Sequence, residues 1–399
     1  MSFQLQSPVI VCGAGPVGLI TALMLSRHGI PVEVLESERG IVPSPRAIAY
    51  QFVTIELLSQ VGVLDEALAT GFTRTISHMR TRDAVVASTD LSVIAKDTPY
   101  PYVLHLPQHL LAEILVRRLE YEGVRVRWST SLKALRQDKA GVTIDIEGLN
   151  GSEELWTPWL VGTDGGRSTV RKSCGISFDG MTWPETLVST NVYCDLEAYG
   201  FAQANYIHDP DHWAVMTKIS KDNLWRVVYG ETPGATESEV MARMPAKVAN
   251  LLPFGMSHQV TLCSPYRIHQ RTAQKYRLGR VLLAGDSAHV TNPMGGLGLT
   301  SGLLDAAALT DALGSVIQGV QDESILDEYA RDRQAVYSGV TSPIATESMR
   351  RMSERDEKRR GEDIAKFRQL HEDKAMQRAG MLRIAALRGQ SFSAAAQVV

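Results

Sequence analysis

Val9-Ile10-Val11-Cys12-Gly13-Ala14-Gly15-Pro16-Val17-Gly18-Leu19 is an apolar run interrupted by three glycines and followed by a helical stretch to about residue 28. Residues 31–36, P-V-E-V-L-E, alternate and end in an acid, as a second parallel strand does. Strand, glycine turn, helix and strand together make a βαβ unit of the dinucleotide-binding kind. Gly13 permits the tight turn, Gly15 lets a pyrophosphate approach the backbone, and Gly18 lets helix and strand pack closely. The helix that starts at Pro16-Val17 offers free N–H groups and the favourable end of its dipole to phosphates. Glu36 stands at the end of the second strand, where a carboxylate hydrogen-bonds ribose hydroxyls and repels a 2′-phosphate. On this motif alone FAD and NAD both remain open.

The bulk composition narrows the setting. A chain of 399 residues can hold two or three units around sizeable cores, and 44% hydrophobic with 21% charged residues is ordinary for a globular protein. Lys+Arg 41 against Asp+Glu 44 leaves a net charge of -3, which gives no footprint for nucleic acid or an anionic membrane. Cys12, Cys174, Cys194 and Cys263 are scattered without a C-x-x-C pair, which argues against a disulfide framework or a metal site and for a reducing, cytoplasmic setting. Residues 8–25 are uncharged and mostly apolar, yet no basic stretch precedes them and glycine and proline would interrupt a spanning helix.

Farther along, helical patterns appear at residues 48–61, 64–69 and 107–122, a strand at 124–128 and a meander of short strands over 132–159. From about 182 to 266 the pattern is β-rich, with runs at 187–193, 202–207, 213–219 and 224–229 between turn residues, as in an antiparallel sheet. A buried strand at 281–283 resumes the α/β pattern, with helices at 299–317 and from 324 onward. The tail after residue 348 is highly charged with helix-forming composition, which reads as a solvated helix face.

Two later segments choose the cofactor. One is Leu160-Val-Gly162-Thr-Asp164-Gly165-Gly-Arg167, and the other is Gly285-Asp286-Ser-Ala-His289-Val-Thr-Asn-Pro293-Met-Gly295-Gly296-Leu-Gly298-Leu299-Thr300. With the first glycine motif, in this order and over about residues 8 to 313, they resemble the class A (single-component) flavoprotein aromatic hydroxylases of the para-hydroxybenzoate hydroxylase type. The resemblance implies FAD as cofactor and NAD(P)H as co-substrate. It also implies an α/β fold in which a Rossmann-like FAD-binding domain (1–75, 100–180 and 266–345) carries an inserted antiparallel-sheet substrate domain (76–99 and 181–265) and a C-terminal helical region (346–399).

The same resemblance assigns roles. Asp164 and Gly165 serve flavin and nicotinamide nucleotide, and Asp286 after Gly285 holds the ribityl chain. Pro293, Gly295, Gly296, Gly298, Leu299 and Thr300 form a helix start whose N–H groups face the pyrimidine end of the isoalloxazine, where reduced flavin gathers negative charge. Thr300 departs from the asparagine of many relatives, which leaves a backbone contact there. Arg46, in Pro43-Ser-Pro-Arg46-Ala, matches an arginine near the pyrophosphate, and Gln108 matches a flavin-contacting glutamine. His289 reads as a core histidine and not as a base.

Within the class, Phe178-Asp-Gly-Met-Thr-Trp183, Leu224-Trp-Arg-Val-Val-Tyr-Gly-Glu231 and Pro265-Tyr-Arg-Ile-His-Gln-Arg271 are similar to strings of bacterial para-nitrophenol 4-monooxygenases. A gapless match of the strands to the class places Tyr206 at the phenol oxygen and Arg226 against the flavin, with Pro293 beside the reacting atoms. Thr217, Val228 and His269 are further candidate substrate contacts. Ile219 stands where a relative has a carboxylate-clamping arginine, which implies a phenol without an essential carboxylate, held mainly by apolar contacts. Alternation puts Arg267, His269 and Arg271 on one face of a strand, either toward flavin, nicotinamide or phenolate, or as edge protection.

The activity so implied is hydroxylation of a small aromatic substrate with O2 through a flavin C4a-hydroperoxide; a nitro group at the attacked carbon would leave as nitrite and yield a quinone. A homodimer is the assembly this reading allows. Three rivals compete. A flavin halogenase would carry W-x-W-x-I-P, which does not occur, and an NAD dehydrogenase would not need the Asp164 and Asp286 motifs. The third, a non-catalytic flavoprotein, would show no substrate-stimulated oxidation of NAD(P)H.

Overall fold

The computed structural model describes residues 7–43 and 47–392, so Arg46 lies outside the described residues. At its centre is a six-stranded sheet ordered Arg277–Leu278, Val281–Leu283, Leu160–Gly162, Val9–Cys12, Val32–Leu35 and Arg125–Arg127, parallel except for the hairpin at its first edge. Its three central strands, Val281–Leu283, Leu160–Gly162 and Val9–Cys12, are continuous apolar runs because both faces are covered, the usual state of a parallel sheet. Helices Pro16–Arg27, Gln108–Tyr121 and Gly298–Ile317 pack on one face in the largest hydrophobic cluster, with Leu19, Leu23, Leu115 and Leu309 fully buried. On the other face lies an antiparallel meander, Ser131–Gln137, Val142–Gly148 and Gly151–Thr157, which buries Val142, Ile144 and Ile146 and exposes the alternate positions.

The second large element is an eight-stranded sheet in the order His289–Val290, Gln259–Ala273, Phe178–Tyr193, Leu224–Glu231, Ala214–Lys218, Ala204–Ile207, Ile76–Arg80 and Val85–Asp90. Its pairs are antiparallel except the one between Ala204–Ile207 and Ile76–Arg80. Strict alternation sends Trp225, Val227 and Tyr229 into a core beneath the helix Glu237–Leu251, and leaves Arg226 and Val228 half-buried on the opposite face. Two long strands, Phe178–Tyr193 and Gln259–Ala273, run through positions 181 and 266, so continuous β-structure joins the two sheets' territories.

Three local expectations differ from the structure. Residues 49–50 are a short strand paired with Val103–His105, and the helix begins only at Phe52, because tertiary pairing overrides the local helical pattern. The stretch read as β-rich contains the helix Glu237–Leu251. Its start is a capping box, Thr236 with Glu239, but Pro245 inside it and the single buried pair Val240 and Val248 blur the apolar period. Third, the tail is not only a solvated face. After Glu357–Glu372 and Lys374–Leu382, the turn Arg383–Arg388 buries Leu387 beside Phe52, Leu304 and Val336.

The tail is also tied to the core by ions. Arg333, 1% exposed, donates from Nη1 to the carbonyls of Leu387 and Arg388 (3.0 Å each) and from Nε to Asp305 (2.7 Å). Asp305, fully buried, also accepts from His289 Nε2 (2.6 Å) and from the Gly285 N–H (3.0 Å). Burial pushes the Asp305 carboxyl up, but His289 and Arg333 outweigh it and hold the group at about 2. A depressed carboxyl stabilises the fold above its ordinary pKa of about 4, and that contribution is lost as the pH falls toward the folded-state value. Arg333→Met, which strands Asp305 without a cation, should cost roughly 3–5 kcal/mol in urea unfolding at neutral pH. The deficit should shrink in titrations carried down between about pH 4 and about pH 2.

Candidate functional site

The first glycine turn is built by exclusion. Gly13 has φ +107°, and a Cβ there would come within 2.5 Å of the Thr163 carbonyl. A Cβ on Gly18 would lie 2.0 Å from the Gly13 carbonyl, so the helix can approach the strand only with glycine at this position. Gly15 caps the helix Pro16–Arg27 without a side chain, and a Cβ on it would meet only open space. The N–H groups of Val17 and Gly18 therefore have no acceptor within the helix, which is what an anion at a helix start requires. Val17 is pressed between the sites a Cβ would occupy on Gly285 and Gly302, so the first motif and the third are packed against each other.

These motifs line one groove of about 1090 Å³. Gly13, Gly15, Pro16, Glu36, Gln108, Asp164, Gly165, Asp286 and Pro293 all border it. Glu36 accepts the Ala14 N–H at 2.7 Å with one oxygen, and Ser37 Oγ and the Glu38 N–H with the other. Asp164 caps the short helix Thr169–Ser173 through the N–H groups of Thr169 (2.7 Å) and Val170 (3.0 Å), and accepts from Ser168 Oγ. Burial raises its pKa against those bonds. It is thus a capping acid that also borders the groove. Asp286 presents an exposed carboxylate to the groove, directly after the Gly285 N–H that Asp305 holds.

The Pro293–Gly295 turn is capped by Asn292, whose side chain accepts the Met294 N–H (3.0 Å) and donates to Gln270 of the long strand (3.1 Å). It delivers the chain into helix Gly298–Ile317, with Gly298 and Leu299 half-buried and Thr300 buried. Thr300 Oγ1 has no partner among the described residues. His289 is a core residue, 2% exposed and stacked at 4.9 Å on Tyr337, and does not line the groove.

Register brings Tyr206, Thr217 and Val228 together. Tyr206 pairs with Val215, Val215 with Val228, and Thr217 with Arg226, so all share one face of the eight-stranded sheet. On that face Leu187, Trp213, Ile268 and Met294 form an apolar cluster with Trp183, Tyr206, Val215, Val228 and Tyr266 packed against it. Met294 comes from the glycine turn, so the sheet face and the third motif meet. Arg226 donates to Asn191 Oδ1 (3.2 Å); burial pulls its pKa down to about 10, opposed by Tyr266 nearby.

His269 falls elsewhere. Alternation along Gln259–Ala273 turns Tyr266 and Ile268 to the apolar cluster and Arg267, His269 and Arg271 to the opposite face; all five border the groove, where Arg167 joins the basic set. His269 is bonded to Thr182 (2.9 Å), and burial together with Arg271, Arg267 and Arg167 lowers its pKa. It therefore belongs to a cationic wall and not beside Tyr206. Trp183, Trp213 and Met294 were not singled out in the sequence, because a tryptophan or methionine in a β-rich run carries no spacing signal for a ligand.

A long groove bordered by a bare helix start and by Tyr266 and Ile268 of the sheet suits a dinucleotide whose phosphates sit on the helix. Comparison with known proteins agrees. Residues 6–342 match the family described as FAD binding domain. The chain is 42% identical over 387 residues to para-nitrophenol 4-monooxygenase of Pseudomonas sp. (strain WBC-3), covering 96% of each. The crystal structure of p-nitrophenol 4-monooxygenase from Pseudomonas putida DLL-E4 superposes with a TM-score of 0.94 at 42% identity, over 96% of this chain and 98% of that one.

The chain belongs to the FAD-dependent class A aromatic monooxygenases.

A further relative of this monooxygenase is 6-hydroxy-3-succinoylpyridine 3-monooxygenase of Pseudomonas putida, 38% identical over 352 residues, 88% of this chain and 90% of that one. FAD fits the groove on the structure's own terms, through the open space at Gly15 and the uncapped helix start. Two variants test the assignment of residues to FAD. Gly18→Ala should give protein that is poorly folded or colourless, since the added carbon meets backbone. Asp286→Ala should stay folded and lose FAD on dilution about tenfold or more faster, the scale of a lost hydrogen bond to a charged group; flavin fluorescence released into the buffer measures both.

Proposed function

We propose that this monooxygenase uses NAD(P)H and O2 to hydroxylate a phenol, with para-nitrophenol, converted to a quinone with release of nitrite, as its leading substrate. The observation that carries the reading is the apolar, aromatic-lined sheet face around Tyr206, against which Met294 of the flavin-side turn is packed. Bound FAD supplies the activation of O2 and the redox equivalents. The protein's part is to bind, orient and exclude water. Trp183, Trp213, Leu187 and Val228 hold a flat ring, and Tyr206 offers a hydroxyl to the phenol oxygen. Arg226, tied to Asn191, keeps a fixed cation on the same face. Arg167, Arg267, His269 and Arg271 give the groove a positive wall that suits the phosphates of a nicotinamide nucleotide. Ile219, 6% exposed, brings no charge to the place where a carboxylate clamp is expected. The 38% identity to an enzyme named for a hydroxypyridine favours a hydroxylated heteroaromatic as the second reading.

A panel of phenols with and without para-nitro and carboxylate groups, plus a hydroxypyridine, separates these. NAD(P)H loss, O2 uptake and product should be followed together, since reduced flavin oxidising without product would mislead. Nitrite release stoichiometric with NAD(P)H for para-nitrophenol is the expected result. Failure of every aromatic compound to accelerate NAD(P)H oxidation would overturn the proposal. Tyr206→Phe should lower kcat/KM for the best phenol by about 10-fold or more while FAD retention stays unchanged.

A further inference from the structure

Arg74, at the end of the strand Phe72–Arg74, is a buried cation without a counter-ion among the described residues. It is 8% exposed, and among the described residues its one hydrogen bond runs from Nε to His105 Nε2 at 2.7 Å. Because Arg Nε can only donate, His105 Nε2 must accept, which leaves the proton on Nδ1 to be donated to the Lys218 carbonyl (2.9 Å). The imidazole is therefore neutral and offers no charge to Arg74. Burial, and then the neighbouring guanidinium, lower the His105 pKa to about 3, so it stays neutral through the working range.

A guanidinium brought into the interior without an acid is costly, and native proteins pair such groups. The terminal amino groups of Arg74 take no protein partner among the described residues, yet they are not among the wholly sealed polar atoms, so they keep some accessible surface on which a ligand can pair with them. The surroundings of that surface follow from the topology. His105 is bonded to Lys218, the next residue after Thr217, and the chain leaving Arg74 becomes the strand Ile76–Arg80, which pairs with the strand carrying Tyr206. Burial lowers the Arg74 pKa, and Tyr206 is near enough to oppose that shift.

We propose that Arg74 is the counter-charge for the ionised phenolic oxygen of the aromatic substrate, so that the ring is held as phenolate beside Tyr206. This rests on the phenol-hydroxylase reading above and sharpens it. The ligand is not held by apolar contacts alone, and its cation stands on a different strand from the Ile219 position. The other charged or titratable groups around that surface are accounted for. His105 is neutral, the Lys218 ammonium is paired with Glu197, and Arg226 lies two strands from Tyr206 with Tyr266 beside it. An ionised ring is more electron-rich, which is the form an electrophilic oxygen donor needs.

The test uses FAD-loaded enzyme and two ligands, 4-nitrophenol and its methyl ether 4-nitroanisole, which has the same ring and no ionisable proton. Binding is followed by perturbation of the flavin spectrum, and the ionisation of bound 4-nitrophenol by its own visible band. Wild-type enzyme should bind 4-nitrophenol mainly as phenolate at a pH where the free ligand is mostly neutral. Arg74→Gln should weaken 4-nitrophenol about 10-fold or more, raise the pH at which the bound ligand ionises, and leave 4-nitroanisole within about twofold. Arg74→Lys, which keeps the charge, should recover much of both effects and serves alone if Arg74→Gln does not fold. Equal weakening of both ligands, or wild-type enzyme binding 4-nitrophenol with unshifted ionisation, overturns the assignment of Arg74 and leaves the enzyme's reaction standing. If neither ligand binds wild-type enzyme and no aromatic compound accelerates NAD(P)H oxidation, the phenol-hydroxylase reading falls and this inference falls with it.

Discussion

The α-carbon of Gly18 sits so close to the Gly13 carbonyl that no side chain can stand between them. That approach seats helix Pro16–Arg27 against the parallel sheet, and two consequences spread from it. The helix start is left bare of side-chain caps at the groove, where phosphates can take its N–H groups. Val17, next in the chain, is pressed onto Gly285 and Gly302, which brings the last glycine segment to the first although the whole middle of the chain separates them. The floor of the groove is therefore one packed unit assembled from three distant stretches.

A buried ion cluster holds the same unit from behind. Asp305 on helix Gly298–Ile317 fixes the Gly285 N–H, so the backbone carrying Asp286 is set by a carboxylate that never reaches the groove. Arg333 neutralises that carboxylate and donates from Nη1 to two carbonyls of the C-terminal turn. Such a cluster is a poor source of net stability but penalises any arrangement that separates its members. It couples the docking of the tail to the geometry of the flavin-side turn, which a purely apolar contact would do less strictly.

Much of the framework was legible in the order of residues, and the reason is local. The βαβ unit, the short buried strand Val281–Leu283 and the helix after Gly298 announce themselves by glycine spacing and by runs long enough to show a period. Tyr206, Thr217 and Val228 came from the resemblance to the class, and the strand register sets them on one face. What escaped detection depends on tertiary partners. The strand at residues 49–50 exists because Val103–His105 lies beside it, and the docking of Leu387 depends on Phe52 and Val336. The Arg74–His105 pair and the Asp305–Arg333 pair join residues with no sequence spacing in common, so no pattern within one segment could reveal them.

The strand Gln259–Ala273 shows how one segment can serve two chemistries. Its even positions Tyr266 and Ile268 complete the apolar cluster around Tyr206, and Gln270 anchors both Asn292 and the helix Ser342–Met352. Its odd positions Arg267, His269 and Arg271 form the cationic wall of the groove. Since the side-chain period of a strand is 2, a slip of one residue would exchange the two sets and turn two guanidiniums and an imidazole onto the apolar face around Tyr206. The bulge between Thr182 and Thr186 on the paired strand re-registers the ladder just there, with the Trp183 indole donating to Gln270 across it. An apolar face and a basic face are thus set side by side along the groove by the register of a single strand.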